Sequence, residues 1–467
     1  MTLFYSFGCM TDNKPKWLSP SRPNPGCWLL VLFILLRGSP GSGQALLQSY
    51  VEEALRENAI LRQMEIPIAK SRLAEEEARR RALPSAEFGF SYTLAAGGRS
   101  IDLPIGDLLN PVYSSLNRLT QSNQFPQVEN VTNQFLPNDF YDMRVRFTAP
   151  LWNKDLKLQR EVRGKEILLQ ENEMARYRRE LVLAVQTAYF QLGAAISARQ
   201  ILWDARAVVD RSVVTVKALV REGKALPAQV LKAENEREIM ESRIADASGN
   251  VYQAERYLQF LLHRKPQDSV SFEKPDAKDY ALDLNRSYAV WAENPVFRKL
   301  DIALSIQSIL EKRNRQFFFP QVSLFTDMGS QEFRWQFNGN SIYLLGGAQL
   351  TIPLWTHRLH RIRGEQIRLE MQALQMNRQF SADQEALGYD LARSRVLTAK
   401  EALRAAEKQV STAEAYMRLS ENGFREGVMT LLEWTDARQQ YTQALLQENI
   451  RFYQYILTVC EIKKIRP

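Results

Sequence analysis

The chain has 467 residues and a net charge of +8, and it is 45% apolar and 24% charged. That balance excludes a disordered or collagen-like chain. No unbroken apolar run reaches the ~18–20 residues of a spanning helix, which argues against a multi-span helical membrane protein.

The first element is the apolar run Cys27–Leu36, which has the length of a signal-peptide core. Lys14, Lys16 and Arg22 precede it, and the small residues of Gly38–Gly43 follow. Residues 1–43 are therefore expected to be an export signal cleaved near Gly43. Its removal takes away four basic residues and one acid and leaves +5, too mild a charge for this length to point to nucleic acid. Cys9 and Cys27 leave with it, so Cys460 stands alone and neither an internal disulfide nor a Cys-based metal site is expected.

A helix is expected over about 46–82. A strand follows at about 86–95, with Ala86, Phe88, Phe90, Tyr92 and Leu94 on one face and Glu87, Gly89, Ser91 and Thr93 on the other. A connection between Gly98 and Asp139 leads to a second strand, about 141–150. It sets Tyr141, Met143, Val145 and Phe147 against Asp142, Arg144, Arg146 and Thr148. Proline then vanishes between Pro150 and Pro227 and between Pro227 and Pro266, in stretches rich in helix formers. A helical hairpin is expected over 152–263, broken at Gly223. Residues 267–281 read as a linker, followed by a helix at about 282–316.

Strands at about 320–328 and 341–352 come next, joined by the short Gly329–Asn340 connection. Val322, Leu324 and Met328 oppose Gln321, Ser323 and Asp327. Ile342, Leu344, Ala348, Leu350 and Ile352 oppose Ser341, Gln349 and Thr351, with Tyr343 and Leu345 blurring the pattern. A second hairpin is expected over 355–464, broken at Gly427. Each long arm, about 70 residues, would reach ~105 Å. Two short helices laid end to end match one long arm, which suggests a cylinder of paired rods.

The chain reads as a duplication: 44–266 is the first repeat and 282–467 the second. Asn58-x-x-x-Arg62 answers Asn294-x-x-x-Arg298, Pro150-Leu-Trp152 answers Pro353-Leu-Trp355, and Gly223 answers Gly427. All the strands have the length of a tilted membrane strand, and Trp152 and Trp355 close two of them where an interfacial girdle would lie. A soluble antiparallel sheet alternates in the same way. If the strands do span, four cannot close a barrel, and the protein must oligomerise.

His357 and His360 are expected in the first turn of the second long helix, as a surface pair without a third metal ligand. No phosphate loop, nucleophile motif or dinucleotide fingerprint occurs, so no catalytic residue, cofactor or metal is expected and the chain does not read as an enzyme.

In this order, the motifs resemble the TolC-like outer membrane efflux protein family. Gly427, Thr430, Glu433, Asp436 and Ala437 are similar to the family's turn motif. In the first repeat Gly223, Val230, Leu231 and Ala233 fit, while Leu226 replaces the hydroxyl and Gln229 the acid. The resemblance implies a mostly α chain with a small β part. Three copies would form a 12-stranded outer-membrane β-barrel continued by a periplasmic α-helical barrel, in a Gram-negative-type envelope. It implies a passive duct in a tripartite efflux or secretion system, fed by an inner-membrane pump through a periplasmic adaptor. Glu433 and Asp436 would ring the pore constriction. Gly223, Leu226, Pro227, Gly427, Val428 and Met429 would form the tip that meets the adaptor. A bridge that can close the tip in such proteins has no counterpart at Gln229 and Met429. The rival readings are a non-transporting coiled-coil envelope scaffold and an envelope enzyme with a helical appendage.

Overall fold

A computed structural model describes residues 42–280, 294–355 and 357–465 of the chain. The expected signal segment falls almost wholly outside these residues, as does the start of the helix expected from 282.

The first half opens with α1 (Ser42–Glu57) and α2 (Ala59–Arg80). The single helix expected here is split at Asn58, whose Oδ1 accepts the N–H groups of Ile60 (3.0 Å) and Leu61 (3.1 Å) and caps α2. Then come β1 (Ser85–Thr93), β2 (Ser100–Leu103), α3 (Ile105–Thr120), β3 (Val131–Gln134) and β4 (Phe140–Trp152). The long α4 (Lys154–Arg221) and α5 (Pro227–Leu262) form the first hairpin. The second half runs α6 (Pro295–Arg315), β5 (Gln321–Phe333), β6 (Ile342–Thr351), the long α7 (Leu359–Arg425) and α8 (Leu431–Ile465). Asn294 caps α6 as Asn58 caps α2, donor Val296 N–H at 3.0 Å, so the repeated Asn is a helix start in both halves. β5 runs five residues beyond the strand expected at 320–328.

The long arms contain 68 and 67 residues, about 100 Å each. Short helices stack along them in pairs. α2 meets the β-proximal part of α4 through Glu75–Arg160 and Arg72–Glu171, and α5 meets its far part through Arg206–Glu241 and Lys217–Glu234. α6 lies between the β-proximal ends of α4 and α7, through Asp155–Arg313, Glu173–Lys299 and Asp301–Arg378. By length and composition α4 could cross a membrane, a property that counting unbroken apolar runs does not reveal. Instead, its Leu181, Val185, Ala188, Tyr189, Phe190 and Leu192 are built into the largest core, with α1, α5, α7 and α8. Segment 270–273 enters this core. The hydroxyls of Tyr50 and Tyr189 each accept an N–H and donate to a carbonyl of that segment, at 3.0–3.2 Å. Phe272 packs so closely on α4 that a Cβ at Gly193 would collide with its ring.

β1, β4, β5 and β6 form one antiparallel sheet in that order, so β4 joins the halves to each other through β5. The register lines up Phe88, Val145, Met328 and Leu344 across one face and Glu87, Arg146 and Asp327 across the other. On the polar face Arg146 makes a bidentate pair with Asp327 (2.7 and 2.6 Å), and Asp142 accepts from Arg144 and Tyr343. The Gly98–Asp139 connection, expected as a plain excursion, holds α3 and the β2–β3 ladder. Asn110 and Asn117 of α3 each donate to and accept from the backbone of Val128 and Phe125 at 2.8–3.1 Å, which fastens the helix to the returning chain.

Candidate functional site

The apolar sheet face and the two hairpin tips are the places where function would sit. No helix of the described residues packs across the apolar face. Phe88 is 63% exposed, Met328 56% and Leu344 70%. A soluble sheet would bury such a row at ~1.5–3 kcal/mol per large side chain, so leaving it bare implies another apolar medium or partner. Aromatic rings mark both ends of this face. At the helix end Trp152 closes β4, while Trp355, expected to close β6, stands four residues beyond its end at Thr351, and both are exposed. At the far end Trp335 stacks on Tyr92 (5.0 Å) and Tyr141 (5.6 Å), with Phe90 and Phe337 beside it. The second group was not legible in the sequence. It depends on Arg334 and Trp335 both taking positive φ, 54° and 53°, which turns the β5–β6 connection back over the sheet.

The tips are near-copies offset by 204 residues. Gly223 (φ 73°) and Gly427 (φ 75°) are left-handed residues just past the long helices. Lys224 N–H bonds Leu219 C=O and Val428 N–H bonds Gly423 C=O, both at 2.8 Å, so each hairpin ends its long arm in the same Schellman closure. The second arms start differently. Thr430 and Glu433 form a reciprocal cap: Glu433 Oε2 accepts Thr430 N–H and Oγ–H at 2.8 Å, and Thr430 Oγ1 accepts Glu433 N–H at 3.3 Å. The backbone N–H of Thr430, then its hydroxyl, hold the Glu433 carboxyl below the usual carboxylate range. In the first tip Leu226 and Gln229 occupy the equivalent positions and no side chain caps α5, but Pro227 stands at its first turn, where a missing N–H does no harm. The paired loss of hydroxyl and acid in the first repeat is therefore the loss of one cap.

The structure brings the two tips together. Val216 of α4, Val230 of α5, Phe424 of α7 and Leu431 and Trp434 of α8 share a cluster, with Phe424 stacked on Trp434 at 4.9 Å. Gly223, Leu226, Pro227, Gly427 and Val428 are exposed around it, while Met429 folds partly back toward Gly423. Glu433 and Asp436 are both exposed on α8, and Asp436 accepts from Gln440 at 2.7 Å.

Sequence reasoning missed one functional candidate. Arg438 of α8, only 6% exposed, pairs with Glu236 of α5. Although the bridge sought at Gln229 and Met429 is missing, an acid of the first half and a base of the second still meet, seven residues along α5 from Gln229. Arg438 lies over Trp434 (5.6 Å), its Nη1 has no hydrogen-bond partner among the described residues, and burial lowers its pKa against the pull of Glu236. A cavity of about 110 Å³ adjoins the pair.

His357 is not in the first turn of α7 as expected: it precedes the helix at φ 46° and lies against Trp355, while His360 packs on Phe317 and Phe318. No cluster of three His, Cys, Asp or Glu side chains suited to a metal occurs among the described residues.

A family-level match lies within the second half of the chain. Residues 305–465 match the outer membrane efflux protein family. This is the family that the turn and Pro-Leu-Trp motifs resemble, and the matched stretch contains Pro353-Leu-Trp355 and the whole Gly427 motif. No curated protein sequence matches the chain. Solved outer membrane proteins and channels share its fold along nearly the whole length. CusC superposes with a TM-score of 0.72 at 15% identity, over 90% of this chain and 92% of its own. VceC of Vibrio cholerae gives 0.68 at 14%, over 90% and 96%. The open-state MtrE channel of Neisseria gonorrhoeae gives 0.69 at 16%, over 90% and 88%. The fold expected from the sequence, mostly helical with a small sheet, is thus the fold found.

Proposed function

We propose that the chain is one third of an outer-membrane duct, a passive channel through which a tripartite efflux or secretion system releases its substrates. The observation that carries this reading is the four-stranded sheet with a bare apolar face and two unpaired edges, rooted on hairpins about 100 Å long. Open edges are not tolerated in lipid, and β6 runs antiparallel to β1, so three copies can join edge to edge into a closed 12-stranded barrel. The Arg146–Asp327 face then lines the lumen and the Phe88–Leu344 face meets lipid. Residues 44–266 and 282–467 are two repeats of one plan, with 267–281 as the segment between them, behind an export signal at 1–43.

The hairpins continue the barrel into the periplasm of a Gram-negative-type cell. Their tips, with Gly223, Leu226, Pro227, Gly427, Val428 and Met429, meet a periplasmic adaptor that links the duct to an inner-membrane pump. The energy comes from that pump, and the duct itself carries no catalytic group or cofactor. Glu433 and Asp436 of three copies set a ring of carboxylates at the narrow end, which favours cations.

The test is reconstitution of the purified chain into planar bilayers. A trimer with cation-selective conductance, and loss of that selectivity in Glu433→Gln/Asp436→Asn, is the expected result. Gln can still accept the Thr430 hydrogen bonds, so the loss would report charge rather than a broken cap. A water-soluble monomer without conductance would overturn the proposal.

A further inference from the structure

The β5–β6 connection does more than close a hairpin. It folds over the apolar face of its own sheet and is fixed there. Tyr141 stands on that face yet is fully buried, because Trp335 and Phe337 cover it. Its hydroxyl bonds Gln336 C=O at 3.0 Å and Ser330 Oγ at 2.9 Å, and Ser330 bonds Ser341 at 2.9 Å. Asn338 Oδ1 accepts the N–H groups of Asn340 and Ser341, both at 2.9 Å. Two consecutive non-glycine residues in the left-handed region, Arg334 and Trp335, are thus held against their own preference.

The result is a recess of about 560 Å³ between the connection and the sheet. Phe88, Met143, Val145, Met328 and Ile342 form its floor, and Phe337 walls it. The floor continues without a break into the exposed Phe88–Leu344 row. At the far end of the sheet, one residue before Trp335, Arg334 is exposed and has no carboxylate partner among the described residues.

We propose that this recess seats one acyl chain of an anionic membrane lipid, whose headgroup Arg334 receives. This rests on the membrane reading above, since only a lipid-facing sheet puts acyl chains at this height. An apolar recess continuous with the exposed row suits a chain rather than a compact solute, and an exposed cation without a carboxylate partner suits an acidic headgroup. The girdle of Tyr92, Trp335 and Phe337 places the junction between chain and headgroup at the membrane surface.

The experiment uses the full chain in nanodiscs of phosphatidylglycerol with dibrominated acyl chains, re-extracted into detergent, with retained lipid counted by mass spectrometry. About one brominated lipid per chain is expected. Gly339 lines the recess and a Cβ there meets nothing within 4 Å, so Gly339→Leu adds bulk at the recess wall without a clash and should lower retention at least fivefold. Arg334→Gln, a surface change that leaves the fold alone, should lower retention of phosphatidylglycerol but not of phosphatidylcholine. If the chain enters nanodiscs but retains no lipid, or retains it equally in both variants, the acyl site is refuted while the membrane reading stands. If the chain never enters nanodiscs, the membrane reading itself fails and this inference with it.

Discussion

Glu433 shows how one carboxylate can serve two ends. As the acid of a capping box it fixes the start of α8, and in the proposed duct the same exposed charge would face the pore. The cap has a testable pH signature. Hydrogen bonds from Thr430 lower the folded-state pKa of Glu433, so the stabilisation is complete above the ordinary carboxylate pKa and is lost as pH falls through the depressed value. Amide exchange over residues 431–436, corrected for intrinsic rates, should quicken in that acid window, and Glu433→Gln should abolish the response. Cys460 provides a second check at this scale. Burial pushes its thiol up to about 11, and it is 3% exposed inside the largest core. A thiol reagent at pH 8 should leave the native protein unlabelled and modify the unfolded one fully; fast labelling of native protein would mean that α8 does not pack as described. Thr430 and Glu433 were legible in the sequence as parts of a turn motif, and the structure adds that they cap α8. The Arg438–Glu236 pair was not readable, because its members are 202 residues apart and each looks like a charge on a solvated helix face.

That pair ties elements rather than residues. α5 and α8 belong to different hairpins, and Glu236–Arg438 is an ion pair that crosses between them near the tip. Replacing Glu236 with Gln would leave a buried guanidinium without its counter-ion. The cost should be about 2–3 kcal/mol of local opening, below the full buried-pair range because Glu236 keeps some contact with water. Glu236→Leu/Arg438→Met should recover most of it. Native-state hydrogen exchange of 228–240 and 431–442 measures both, and equal opening energies in single and double variants would show that the pair holds nothing. A further expectation is that the single variant conducts more readily in bilayers, since the hairpins would part more easily. Legibility also divides by element. The long arms, hairpin turns and alternating strands rest on local pattern, namely proline-free spans, a left-handed glycine and a period of two. The connection at 98–139 escaped because its helix contains Pro111 and is held by Asn110 and Asn117 reaching to 125 and 128, which no window of sequence records. The outer aromatic group escaped because Trp335 reaches Tyr92 and Tyr141 only through a backbone shape that its residue types disfavour.

For the whole molecule, the decisive quantity is what the chain leaves unfinished. The described residues bury a core along the helices, yet the sheet keeps two bare edges and one bare face. These deficits have one common remedy. Edge pairing of β6 with the β1 of another copy would remove both edges, and the proposed closed ring would turn every apolar row outward and every Arg146–Asp327 pair inward. In the proposed trimer three pairs of tips would surround one axis, so the tip charges would act as a ring only once the barrel had closed. A cysteine at Ser91 on β1, combined in turn with cysteines at successive positions of β6 (342–351), tests this directly. Antiparallel pairing should give intermolecular disulfides at one β6 position and its i ± 2 neighbours, with dimer and trimer bands in denaturing gels. Because buried Cys460 does not compete, its replacement is unnecessary. Cross-links spread evenly over all ten positions would mean random collision, and none at all would mean that the edges meet something other than a second copy.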